Sequence, residues 1–331
     1  MSVSSLSKHT KKRIKLNMGS KSKEHVLAMV LPFLLVLAMA IPAGAQLKPG
    51  FLYTLSNFTG RVPYDLVRVS IDKERTEVYV INYNYLRVFN EYGMEIYRFG
   101  DDLDLGNILD VAVDQKGDVL LLCYKDNEPV IVRCNYRGEP LSRIQLKNLP
   151  PELSGFGPDR MTYQDGILYL VSMSGMRIVT IDSEGRFRKE FDLIPLLELD
   201  EKSRGALPMS GFSVDRDGNI LFTVAVLFRA YVLSPDGKLA WFGKPGSSPG
   251  KFNIAGGIVK DSRGNFLVVD RLKSTVMIFD KNFDYLNQFG FRGQRPENLV
   301  APEEMVIDKR DRVYVTQGRR RGINVYALGY N

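Results

Sequence analysis

The chain has 331 residues, room for one large repeat domain or two ordinary ones, and its formal net charge of +7 comes almost entirely from its start. Seven of the 45 Lys+Arg and one of the 38 Asp+Glu lie in residues 1–45; the 38 basic and 37 acidic residues that follow nearly cancel, which argues against a nucleic-acid partner. Both histidines, His9 and His25, lie there too, which excludes Ser-His-Asp and Cys-His catalysis and histidine-ligated zinc, copper or haem from the rest.

The first 45 residues read as a signal peptide. Lys8, Lys11, Lys12, Arg13, Lys15, Lys21 and Lys23 make a basic start, residues 26–42 are an apolar run, and Ala43-Gly44-Ala45 is a small-x-small cleavage signal. Cleavage is predicted after Ala45, which makes residues 46–331 a periplasmic or secreted domain with no stable membrane insertion. An uncleaved anchor is the alternative, because the apolar run falls only slightly short of a span.

From residue 51 onward a hairpin signature recurs: an apolar run, an aspartate, a turn and a second apolar run. The markers are Asp72, Asp114, Gln164 (a degenerate copy), Asp215, Asp261 and Asp308, at spacings of 42, 50, 51, 46 and 47. β-branched and aromatic residues fill the runs, and Asp, Asn, Gly and Lys fill the gaps. Third strands are predicted at 86–90, 130–135, 177–182, 230–234, 275–280 and 323–327. Residues 251–290 are the best-preserved copy and read as one four-stranded meander. Such a sheet cannot bury both faces alone, so it needs copies of itself. Six of them predict an all-β fold: a six-bladed β-propeller of four-stranded antiparallel blades. The sixth copy shows only three strands, and residues 51–56 supply the fourth, so the ring closes through the N-terminal strand and leaves no open edge. An open ring is the alternative.

Cys123 and Cys134 fall late in neighbouring predicted strands of the second copy. An exported compartment permits a disulfide between them, and two buried small residues are the other reading. With no CxxC or CxxCH motif, redox and haem-attachment roles are weakly supported.

The best copy contains Gly250-Lys251-Phe252, then Asp261, Gly264-Asn265, Val268–Asp270 and Ile278-Phe279-Asp280; Asp215-Arg216-Asp217-Gly218-Asn219 repeats its turn. This pattern resembles the NHL repeat over residues 51–331, with the third copy lacking the aspartate and the Gly-Asn turn. The resemblance implies a six-bladed disc, often a surface for protein or nucleic-acid partners. It is specific for fold and poor for activity.

Strand direction alternates, so each disc face collects one set of loops. The loops between strands 1 and 2 are short throughout: 73–76, 115–117, 165–166, 216–218, 262–264 and 309–311. The opposite face carries long, varied loops at 100–107, 147–159, 192–210, 243–253 and 290–302, joined by 83–85, 271–274 and 319–321. Length that folding does not require points to binding there. Four residues before each marker, at the channel mouth on that face, stand Arg68, Asp110, Arg160, Gly211, Gly257 and Glu304. The four charges either pair with one another or hold a polar ligand, and the two glycines leave an open side. Arg319-Arg320-Arg321, with Arg292 and Arg295 nearby, points to an acidic partner, an anionic polysaccharide or a phosphate.

Other candidates carry less. Asp101, Asp102 and Asp104 lack calcium-loop spacing. The stretch holding Asp192, Glu198, Asp200 and Glu201 reads as a short helix packed on the disc. Asn57-Phe58-Thr59 is a lone glycosylation triplet, and neither a Walker loop nor a GxGxxG after a strand is present. The expected function is a non-catalytic scaffold, without cofactor, binding a protein or an anionic extracellular polymer through the long-loop face. The alternative is a calcium-dependent lactonase- or esterase-like hydrolase at the channel, with Asp110 and Glu304 as its acidic ligands.

Overall fold

A computed structural model of the chain describes residues 47–62, 67–72, 74–100 and 104–330. The signal peptide expected over 1–45 lies outside them, as do Asp101 and Asp102. Among the described residues no helix is long and apolar enough to cross a membrane.

Six four-stranded antiparallel sheets make the disc. Blade 1 comprises Arg68–Asp72, Glu77–Asn82, Tyr85–Phe89 and Glu95–Phe99; blade 2, Asn107–Val113, Val119–Lys125, Glu128–Cys134 and Pro140–Ile144. Blade 3 comprises Arg160–Gln164, Ile167–Ser172, Arg177–Asp182 and Phe187–Asp192; blade 4, Gly211–Val214, Ile220–Val224, Arg229–Leu233 and Leu239–Phe242. Blade 5 comprises Ala255–Lys260, Phe266–Asp270, Thr275–Phe279 and Tyr285–Gly290. Blade 6 comprises Pro302–Ile307, Arg312–Gln317, Ile323–Tyr330 and, from the other end of the chain, Leu47–Thr54.

The marker aspartates explain the repeat. Asp114, Asp215, Asp261 and Asp308 are buried, and one carboxylate oxygen of each accepts the backbone N–H groups two and four residues on, at 2.8–3.1 Å. Asp72 does the same with Glu74 and Arg75, at 2.8 and 3.2 Å. The turn thereby satisfies amides that would otherwise be stranded beside the core. Asn90, Asn135, Asp182 and Asp280 repeat the device between strands 3 and 4. These aspartates build the fold, and their regularity is its sequence signature.

Ring closure is as expected, with the closing strand beginning earlier. Leu47 pairs with Tyr330 and Thr54 with Asn324, and the Thr54 hydroxyl donates to Asn324 Oδ1 at 2.8 Å. The buried side chains form six clusters, each between two neighbouring blades. The cluster that shuts the ring sets Val69, Val78, Val80 and Phe89 of blade 1 against Tyr314, Ile323 and Val325 of blade 6, with Leu55 wedged between. Every blade face is thus covered by a neighbour, as a sheet apolar on both faces requires.

Two expectations are corrected. The disulfide is not formed: Cys123 pairs across the ladder with Val130, and Cys134 with Val119. The two are staggered by four residues, roughly 13 Å of strand, beyond the reach of a bridge. Both are free and buried in the cluster between blades 1 and 2, and burial pushes the Cys123 thiol up to about 12 and Cys134 to about 11. The glycines at the mouth do not leave an open side. A Cβ on Gly211 would lie 2.2 Å from the Gly256 carbonyl oxygen, and one on Gly257 would lie 2.8 Å from Met305 N. They are gaps through which the inner strands of blades 4, 5 and 6 touch.

Candidate functional site

The six innermost strands contact one another in a closed cycle around a channel with two different ends. Each strand starts at the long-loop face and finishes at its marker on the short-turn face.

At the long-loop end, Glu304 of blade 6 takes an ion pair from Arg68 of blade 1. Arg160 of blade 3, across the channel, approaches the same oxygen through Nε at 3.7 Å and donates to the Asp159 carbonyl at 2.6 Å. Asp110 of blade 2 spends its oxygens on backbone, accepting Val111 N–H at 2.9 Å and Met161 N–H at 2.7 Å. Burial pushes the Asp110 carboxyl up to about 6, against the opposing pull of Arg68 and of those two amides. The structure therefore brings all four predicted charges together, engaged with each other or with backbone. The cavity between them holds about 90 Å³, roughly half of that at the other end of the channel and room for only a few waters. Nor do the donors fit calcium. Glu304 already lies between two guanidiniums and Asp110 already holds two amides, whereas the ion needs six or more oxygens.

The loops around this mouth are more telling. Residues 243–254 and 271–274 are hydrogen-bonded to each other, as are 290–301 and 318–322, and Arg271 of blade 5 lies 3.4 Å from Glu303 at the start of blade 6. Lys273 Nζ donates to the Ser248 carbonyl at 2.9 Å, Arg271 N–H to the Ile254 carbonyl at 3.0 Å, and Gly318 N–H to the Val300 carbonyl at 3.1 Å. Arg321 donates to the carbonyls of Gln294 and Arg295, at 3.3 and 2.8 Å, so it braces the neighbouring loop. Arg319 and Arg320 are exposed at left-handed backbone angles of 55° and 58° at the hairpin tip. The predicted arginine run thus divides into two exposed cations without a partner among the described residues and one strut.

Lys244, Lys251, Arg271, Arg292, Arg295, Arg319 and Arg320 are exposed along this crescent, and no described acid in these four loops is. The half-buried Glu297 lies 3.8 Å from Arg295. Ile254, Leu272 and Phe291 stand exposed among the cations. Sequence reasoning found the blade 6 arginines, Arg292 and Arg295, and missed Lys244, Lys251, Arg271 and the apolar tips. Counting charge loop by loop would have found them. On the same face, blade 3's outer loop has the opposite sign, with Glu198, Asp200 and Glu201 exposed beside Lys202. The helix expected there is Leu193–Leu196; its capping residue Asp192 also binds Arg204 and Arg177, at 2.8 and 3.2 Å, so these acids are structural or solvated. Asp104 accepts from Lys125 at 2.6 Å, and Asn57 Oδ1 accepts from Thr59 N–H at 2.9 Å.

The short-turn end opens into a larger cavity of about 170 Å³. It is walled by Ile71, Val113, Tyr163, Val214 and Ile307 and rimmed by the turn aspartates.

No family model matches the sequence, and no curated protein is similar to it. Solved structures are similar in fold. A protein of unknown function from Bacteroides thetaiotaomicron aligns with a TM-score of 0.60 at 15% identity, over 86% of this chain and 77% of that one. An auxiliary nutrient binding protein from Bacteroides ovatus aligns at 0.59 and 15%, over 86% and 77%. Catalytically inactive virginiamycin B lyase from Staphylococcus aureus, solved with quinupristin, aligns at 0.54 and 14%, over 82% and 84%. At such identities the likeness shows a shared propeller fold.

Proposed function

We propose that this chain is an exported, non-catalytic propeller scaffold of NHL type that binds an anionic partner, a protein or an extracellular polymer, through the loops of blades 4–6. One observation carries the reading: seven exposed cations on a hydrogen-bonded loop surface whose described residues include no exposed acid. The chain beyond residue 45 is nearly neutral, so this concentration is not a by-product of composition. Cations gathered on one side of a disc steer and hold an anion, and the exposed Ile254, Leu272 and Phe291 give a partner apolar surface to cover. The Bacteroides ovatus neighbour, described as nutrient binding, is consistent with a binding role on this architecture. Arg68, Asp110, Arg160 and Glu304 lie at the same end, and we assign them to closing the channel rather than to partner contact.

The test is titration of polyglutamate and of heparin into the full chain and into an Arg319→Glu/Arg320→Glu variant. The wild type should bind at least one probe, more weakly as salt rises, and the variant should lose about tenfold or more in affinity. Equal binding by both chains, or no binding of either probe to the wild type, contradicts the proposal.

A further inference from the structure

The short-turn end of the channel lies on the face opposite the proposed partner surface, and its cavity is chemically different. Its floor is a waist lined by Ser70, Thr162, Ser213 and Val306, which also line the small cavity at the other mouth. The Ser213 hydroxyl donates to the Ile258 carbonyl at 2.6 Å. The hydroxyls of Ser70, Thr162 and Tyr163 line the cavity with no hydrogen bond to any described residue. Above the waist Ile71, Val113, Val214 and Ile307 supply apolar wall, together with polar groups of the turns such as Gln115 and Gln164.

The charges around this wall are occupied or sit in water. Lys260 Nζ lies 2.8 Å from Asp215 and 3.0 Å from Asp217. Asp72, Asp114, Asp215 and Asp308 hold their turns, while Glu74, Asp165 and Arg216 are exposed at the outer rim. A ligand seated here therefore meets aliphatic groups at its sides and free hydroxyls at its buried end. The size is also informative. An apolar protein cavity of about 150 Å³ accepts benzene, and this one holds about 170 Å³.

We infer that the short-turn end of the channel is a binding site for an uncharged single-ring aromatic bearing one hydroxyl, of the phenol or benzyl alcohol class. The ring sits among Ile71, Val113, Tyr163 and Ile307, and the hydroxyl reaches Ser70 and Thr162. A carboxylate or ammonium on the ring finds hydroxyls but no unpaired opposite charge among the described residues at the waist and pays for desolvation, so charged analogues bind worse. Binding here is independent of the cationic crescent.

The experiment is titration of phenol into the full chain, followed by calorimetry and by methyl NMR of isoleucine and valine. One saturable site is expected, with the largest shifts at Ile71, Val113 and Ile307, and with weaker binding of benzoate and benzylamine. Thr162→Val keeps the side-chain shape and removes the hydroxyl, and should weaken phenol binding about fivefold. Val113→Trp fills the cavity and should abolish it while leaving polyanion binding intact. If the tryptophan variant does not fold, the Thr162→Val affinity and the wild-type shift map decide the matter. A titration that does not saturate, shifts centred elsewhere, or unchanged phenol affinity in Thr162→Val would each overturn the site. Loss of polyanion binding alone would overturn the scaffold reading and leave this one standing.

Discussion

At the short-turn end of the inner strands, Asp72, Asp114, Asp215, Asp261 and Asp308 perform one task five times; at the long-loop end, the equivalent ring is filled by four residue types. The aspartates accept turn amides and are needed wherever the chain reverses beside the core. Arg68, Arg160 and Glu304 form a charge bridge across the channel, Asp110 clamps two backbone amides, and Gly211 and Gly257 admit neighbouring strands. Within a repeat fold, what recurs is what every blade needs. What departs from the repeat belongs to one place, and one departure, the cationic crescent, serves no evident packing need.

Substitutions at the two ends should therefore separate, beginning with the largest effect. Gly257→Val forces a side chain into the strand contact at Met305 and should cost more than about 3 kcal/mol, measured by chemical unfolding. A near-neutral result would mean that the inner strands are not tightly apposed there. Asp110 supplies the next effect through pH. Its folded value of about 6 lies above the ordinary 3.8, so the folded chain keeps a proton that the unfolded chain has lost. The stability this adds is full below the unfolded value and is lost as pH rises through the folded one. Relative to Asp110→Asn, the wild type should lose ~2–3 kcal/mol between roughly pH 4 and pH 6 and then stay level. A constant gap between the two chains would show that Asp110 is not held in this state.

Asp261→Ala, on the short-turn face, leaves two turn amides without their acceptor and should cost about 1–2 kcal/mol with no effect on polyanion binding. Arg319→Ala/Arg320→Ala should do the reverse, changing stability by less than about 0.5 kcal/mol while weakening binding. If the aspartate variant lost binding, or the arginine variant lost stability, the division of labour between the faces would fail.

The fold was legible in the sequence because its cause is local. An aspartate that folds a turn onto itself must precede that turn by a fixed distance, so Asp215 and Asp261 announce two blades almost identically. The closing strand was legible from a missing partner, although its start at Leu47 was not, since Lys48, Pro49 and Gly50 carry no strand pattern. The disulfide expectation failed on register: neighbouring strands were recognised, and the four-residue stagger was not. The candidate site was half visible. Adjacent arginines at 319–321 stand out in one dimension, whereas Lys244, Lys251 and Arg271 join them only because three blades bring their loops together. The channel cavity was not visible at all, because its lining gathers a few residues from each of the six repeats, and its aliphatic side chains look like ordinary core.

The most direct measurement of the central claim is hydrogen–deuterium exchange with and without a bound polyanion, using the stronger of polyglutamate and heparin. Protection is predicted at residues 243–254, 271–274, 290–301 and 318–322, with none at the 115–117, 216–218 and 262–264 turns. Protection centred on those turns, or spread evenly over both faces, would contradict it.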